Sequence, residues 1–368
     1  MKENNERSLH AQAPGAPQER EPLLSRTECN IMRGFAIIII VINNFTHLFR
    51  GVFKDNEYDY VWKNVEGVMA NLHHPDSILP FNLLSFYCPY GVMLFIFLSG
   101  YGLTLKYEKS MAQRVPCRAF VTDHYNKMFT MQLKGLTIYI LLTLLFFKDF
   151  VFSGTDTLQQ VFLVGNLVPY SSILPGPYWF FGMIMEMYVI YRLCIYRRAD
   201  WVMWTIVALS LIVMALCRNY LYYLRLNCFV AILPFCLGVF AARHLDSRFA
   251  RLDRSLSCWG WFAASFVLLT LTKFNFYAWL VMPVFIVATA VTIVKLMCRT
   301  NLLLQVFGWL GTLSGVLFVV HPSVRVILIE RANASGQYYS ILVIYLLVTF
   351  GLSIMLQPVF SKKKSKNG

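Results

Sequence analysis

Long apolar runs broken by short polar and mostly basic stretches fill this chain from residue 34 to residue 358. A bilayer core is crossed by about 20 helical residues. Windows of that length mark ten candidate spans, near 34–50, 82–105, 133–152, 178–196, 201–217, 226–242, 256–272, 275–294, 306–328 and 338–358. The expected fold is therefore all-α: a polytopic membrane protein with about ten transmembrane helices. Pro80 and Pro89 predict a second span broken at its start, because proline interrupts the helical hydrogen-bond ladder. The stretch 158–168 is too short to cross and is expected to lie in the interface or dip into it. Residues 1–29 are polar, with Pro14, Pro17 and Pro22 and no apolar period, which predicts a disordered cytoplasmic arm. No short apolar segment with a small-residue cleavage site precedes the first span, so that span is expected to direct insertion itself. Residues 30–360 are then one membrane domain and 361–368 a basic cytoplasmic tail.

The first span, RGFAIIIIVINNFTHLFR at 33–50, is apolar but opens on Arg33 and carries Asn43, Asn44 and His47 in its second half. A helix turns ~100° per residue, so Asn44 returns to within roughly 20° of the direction of Arg33, and His47 lies one turn further on. Polar side chains at such depth face a protein interior or a water-filled cavity. Two readings stand side by side: a path for a charged ligand, or polar glue between helices.

Composition places the chain firmly in a membrane. Apolar residues make up 57% and charged residues 14%, where a soluble domain carries about a quarter charged. With the N-terminus in the cytoplasm, 24 of the 33 Lys and Arg fall in inner segments, the bias the positive-inside rule predicts. Both termini are then cytoplasmic, and an inner (plasma) membrane location follows. The net charge of +14 needs no nucleic-acid partner. The tail KKKSK at 362–366 suits anionic membrane lipid instead. The nine Cys form no C-x-x-C pair, and His73-His74-Pro75 lacks a spaced third ligand, so no metal site is expected.

Among the acids, Glu186 alone falls well inside a span. There it could hold a basic group, accept a proton or bind sugar hydroxyls, or sit neutral against a neighbouring helix. His321, followed by Pro322, lies past the middle of the ninth span. Asn43, Asn44, His47, Glu186 and His321 thus share a mid-to-outer layer. Arg33, Lys106, Lys109, Arg114, Arg118, Lys127 and Lys134 share the cytoplasmic end. Two such levels suit a reaction across the membrane, with a phosphate-rich donor on the basic floor and a His acting as general base on an acceptor hydroxyl. Ser99 lacks a G-x-S-x-G elbow and is not read as a nucleophile, while Tyr101 is expected to pack or to bond a ligand.

At these residues the chain resembles acyltransferase family 3, the ten-helix membrane O-acyltransferases, and within it the polysaccharide-modifying bacterial type. The segments that carry the resemblance are RGFAIIII at 33–40, GVMLFIFLSGYGL at 91–103, PYWFFGMIMEMY at 177–188, ILPFCLGVFAAR at 232–243 and LGTLSGVLFVVHP at 310–322. The resemblance implies transfer of an acyl group, often acetyl, from cytoplasmic acyl-CoA as co-substrate to a carbohydrate hydroxyl, with no permanently bound cofactor. It gives Arg33 and Lys127 to acyl-CoA, His47 and Glu186 to catalysis, and Asn43, Asn44, Tyr101, Trp179 and His321 to positioning the acceptor. One departure stands out. The family's first-helix His maps to Asn43 or Asn44, and Asn has no usable basicity. Either His47 or another base such as Glu186 serves, or catalysis is lost. In the last case the chain is a non-catalytic relative that transports or binds a glycan or lipid. Met93 also replaces the family's Asp or Pro.

Overall fold

The computed structural model describes residues 22–54, 59–147, 152–168, 173–245 and 255–361. Ten apolar helices carry the architecture: α1 (Arg26–Thr46), α2 (Gly91–Thr104), α3 (Cys117–Phe146), α4 (Trp179–Ile190), α5 (Asp200–Leu216), α6 (Cys228–His244), α7 (Ser255–Thr272), α8 (Met282–Met297), α9 (Asn301–Ser335) and α10 (Tyr338–Phe360). Among the described residues there is no strand, and the all-α membrane reading holds. Among the described residues six segments are long and apolar enough to cross a bilayer, or seven if α5 and the bent helix after it form one span. The other three predicted spans exist as the shorter apolar helices around α6, α7 and α8, so length and composition do not establish the expected count of ten.

Boundaries follow local chemistry. α1 starts at Arg26, earlier than the boundary expected at residue 30, because Ser25 and Glu28 close a reciprocal capping box: Ser25 N–H donates to Glu28 Oε2 at 2.8 Å, and Glu28 N–H donates to Ser25 Oγ at 3.2 Å. The predicted break at Pro89 is present, since a helix over Leu79–Tyr87 stops before α2 begins. The third span needs a correction. Residues 117–132, which fall between the second and third predicted spans and so are expected as cytoplasmic loop, are the first turns of α3, which runs unbroken for 30 residues after Pro116. Charged residues on that stretch lower its hydropathy without breaking a helix that has no internal Gly or Pro before Gly135. α9 ends on Gly336 at φ 70°, a left-handed cap that glycine adopts without strain. Residues 1–21 and 362–368 of the expected arm and tail lie outside the described residues.

Two seams organise the bundle. α1 packs along α9, and α2 along α6. Both seams depend on glycine. A Cβ at Gly311 would stand 2.0 Å from the Asn30 carbonyl oxygen, and one at Gly100 would stand 2.2 Å from that of Phe235. Small residues let membrane helices approach to backbone contact, where dispersion replaces the missing hydrophobic drive. α3 and α10 flank α9, and α7 rests on α8. At one end a charged knot ties four segments together. Arg243 donates from Nε and Nη2 to Glu108, both at 2.9 Å, and from Nη1 to Asp200 at 2.6 Å. The Tyr191 hydroxyl donates to Glu108 at 3.1 Å. Glu108 and Tyr191 stand on π-helical turns that extend α2 and α4.

Candidate functional site

The α1–α9 seam carries polar groups at two levels. At its first level Arg33 is exposed, and among the described residues it has no hydrogen bond or acid partner. Ser99 and Gly102 of α2 and Lys106 of the π-helical turn that extends it share one helix face. Ser99 is half-buried and the other two are exposed, in a helix otherwise almost wholly buried. The Tyr188 hydroxyl bonds Ser99 and lies within electrostatic reach of Arg33. The ring of Tyr188 meets that of His124 edge-on at 4.8 Å. Lys106 donates to the Tyr107 hydroxyl at 3.0 Å. Lys127 is exposed and pairs with Asp123 one turn away at 2.5 Å. Of the cations expected at this level, Arg33, Lys106 and Lys127 are exposed, and the Tyr188 and Tyr107 hydroxyls lie near the first two. His124 is an addition, which the sequence hid inside a presumed loop.

At the second level, toward the other end of the same seam, Asn44 meets a residue that sequence reasoning passed over. Arg325 Nη1 donates to Asn44 Oδ1 at 3.3 Å and to its carbonyl oxygen at 3.5 Å. His321 sits one helical turn before Arg325 on α9 and is fully buried. Tyr139 of α3 and Tyr345 of α10 lie within electrostatic reach of the guanidinium. A Cβ on Gly176, in the loop before α4, would stand 3.7 Å from Nη2. Four segments therefore surround Arg325, yet it keeps part of its surface open. The spacing H-P-x-x-R at 321–325 was the available signal, since residues four apart share a helix face.

Three imidazoles share one local geometry. Nδ1 lies 2.5 Å from the Asn43 carbonyl oxygen in His47, 2.8 Å from that of Phe120 in His124, and 3.0 Å from that of Leu317 in His321. A carbonyl oxygen only accepts, so Nδ1 carries the hydrogen. In the neutral ring the lone pair is then on Nε2, the atom a general base uses. His321 Nε2 is buried and has no partner among the described residues. His47 stands at the end of α1, half-buried.

Other predicted site residues have structural duties. Both oxygens of Glu186 are engaged: Asn166 donates to Oε1, and the Cys228 N–H donates to Oε2 at 2.9 Å, so the carboxyl caps α6. Asn166 also donates to Asn227 Oδ1 at 3.1 Å. Tyr101 is buried against the entry to α1. Its hydroxyl accepts from Leu24 N–H at 2.9 Å and donates to the Leu24 carbonyl at 3.1 Å. Asn43 is buried, and Trp179 is half-buried at the first position of α4.

A family described as an acyltransferase domain, acyltransferase family 3, matches residues 26–357, from the first turn of α1 almost to the end of α10. The chain belongs to that family. Neither a curated protein nor a solved structure matches the chain. Family membership and the apolar helices together make this a multi-pass membrane acyltransferase. Asn44, one of the two adjacent first-helix asparagines, accepts a hydrogen bond from the Arg325 guanidinium.

Proposed function

We propose that the protein is a membrane O-acyltransferase that moves an acetyl group from cytoplasmic acyl-CoA to a hydroxyl of a cell-surface or capsular carbohydrate, in the inner (plasma) membrane with both termini cytoplasmic. The observation that carries this reading is the two-level seam: an accessible cation at Arg33, and at the far level a buried imidazole whose Nε2 has no protein partner. At the first level Arg33, Lys106 and Lys127 supply charge for the phosphates of the donor, in the way cations hold phosphate oxygens.

At the second level an acceptor hydroxyl donates to His321 Nε2. As its oxygen attacks the thioester carbonyl, Nε2 takes the proton; as the carbon–sulfur bond breaks, the imidazolium returns that proton to the leaving sulfur and CoA departs as the thiol. His47, with the same Nδ1–carbonyl arrangement at the end of α1, is the second base on offer. Glu186 has no part in the proton transfer, because both of its oxygens hold the start of α6. Asn44 holds Arg325 rather than a proton.

Purified protein with radiolabelled acetyl-CoA and a panel of glycans tests this. His321→Ala is expected to lower turnover by about 10²–10⁴-fold, the usual worth of a general base. If His47→Ala does so and His321→Ala does not, the base is His47. If neither variant changes turnover, the site assignment is wrong. A wild-type protein that binds glycans and transfers nothing is a non-catalytic relative.

A further inference from the structure

Arg325 is a cation enclosed by four segments and held by one neutral amide. A guanidinium offers five N–H donors in a planar fork. Here Nη1 alone is engaged, at 3.3 and 3.5 Å, by a single asparagine. Among the described residues no carboxylate pairs with it. Leaving such a charge uncompensated in a low-dielectric surround costs several kcal/mol, and proteins normally remove that cost with a buried acid. The same molecule shows the usual solution elsewhere, where Arg243 is satisfied by two carboxylates. The Tyr345 hydroxyl, which could have faced the cation, instead donates to the Val41 carbonyl at 3.2 Å.

One turn away, His321 Nε2 is an acceptor that is likewise unmet. The two atoms ask for complementary things: an oxyanion in the plane of the guanidinium, and an O–H donor a helical turn distant. We infer that the acceptor is an acidic sugar, whose carboxylate binds Arg325 while a neighbouring hydroxyl donates to His321 Nε2. A singly charged, planar carboxylate matches one guanidinium bidentately. A phosphate, with up to two charges, would call for further cations, and no second cation is found against Arg325 among the described residues. Gly176 places no side chain against Nη2, where a Cβ would stand 3.7 Å away. Arg325 retains open surface and His321 behind it does not, so a ligand meets the charge first.

This inference rests on the carbohydrate-acylating reading of the same site, and a binding measurement made without acyl donor separates the two. The full-length protein in phosphatidylcholine nanodiscs would be titrated with methyl glucuronide, methyl glucoside and glucose 6-phosphate by calorimetry. The glucuronide is expected to bind about 10- to 100-fold tighter than the glucoside, the range of a charge-assisted hydrogen-bonded pair. Arg325→Gln should bring the two sugars to one affinity, and Arg325→Lys should leave an intermediate preference, because it keeps the charge and loses the fork.

Equal binding by the wild type overturns the inference, as does a preference that survives Arg325→Gln, or glucose 6-phosphate binding tighter than the glucuronide. If Arg325→Gln does not fold, the wild-type comparison and the Lys variant decide. Intact glucuronide selectivity without any transfer from acetyl-CoA sinks the enzymatic reading alone. Transfer to neutral and acidic sugars with equal kcat/KM sinks this one alone.

Discussion

At the Arg33 end of the α1–α9 seam, charge is open. Arg33 and Lys106 are exposed, with a phenol near each, and Asp123 lies within electrostatic reach of Lys106 without bonding it. At the Arg325 end the same seam encloses its polar atoms. His321 is sealed, Arg325 is walled by α1, α3, α10 and a loop, and the contacts made are few and long. Open cations are hydrated and bind loosely and without much geometry, as suits a flexible, many-charged ligand. Enclosed, under-partnered groups are costly when empty and selective when filled. The two ends therefore read as a docking site and a selecting site, joined by helices that touch backbone to backbone.

The largest test of that contrast removes its frame. Gly311→Leu would drive a side chain into the Asn30 carbonyl, so both ends should fail together. A loss of about 3 kcal/mol or more is expected, seen as a collapse of the thermal melt in detergent. Retention of the melting point would show that the seam is not the frame. Next, Glu186→Ala should cost about 1–3 kcal/mol by leaving the Cys228 N–H and Asn166 unpaired, and Glu186→Gln should cost less. Turnover per folded molecule should survive Glu186→Gln. Its loss at an unchanged melting temperature would return Glu186 to the chemistry.

A smaller and purely functional effect is expected at the open end. Arg33→Ala should raise KM for the acyl donor by roughly tenfold with kcat and melting point little changed, since an exposed charge contributes about 1 kcal/mol and has no fold partner here. An unchanged KM would remove Arg33 from the donor site.

The smallest effect lies in the loop before α2. The Asn71 amide and the Ile78 and Leu79 N–H groups hold the Asp76 carboxyl below its ordinary pKa of 3.8. A depressed folded pKa means that the contribution is complete above the unfolded pKa and is lost as pH falls through the folded one. Asp76→Asn should therefore lower the melt slightly at pH 7, where the carboxylate's contribution is complete, and converge with the wild type below about pH 4, flattening the acid limb. A wild-type acid limb in Asp76→Asn would show that the carboxyl has no such role.

Much of the arrangement was visible in the residues alone. Runs of apolar residues place α5, α6, α7 and α10 within two positions of their observed ends, because in a bilayer each span must satisfy its own backbone and so must be apolar, whereas α1 and α3 begin well before their apolar runs. The break at Pro89 and the polar face of α1 follow from local rules as well. Misreadings arose where hydropathy and helicity part company: the first turns of α3 are polar and helical, so they passed for loop and took His124 with them.

Which polar group serves what could not be read along the chain, since partners come from far away in sequence. Glu186 invites a catalytic reading until Asn166 and Cys228, 20 and 42 residues distant, occupy its oxygens. Arg325 attracts no reading along the chain until α1, α3 and α10 fold around it. Sequence alone determined a helical membrane protein, because hydropathy and period are local properties, and its short motifs carried the resemblance to acyltransferase family 3. Tertiary structure alone decided which of its buried polar atoms are spent on holding helices and which are left wanting a ligand, because hydrogen-bond satisfaction depends on what other segments bring within about 3 Å.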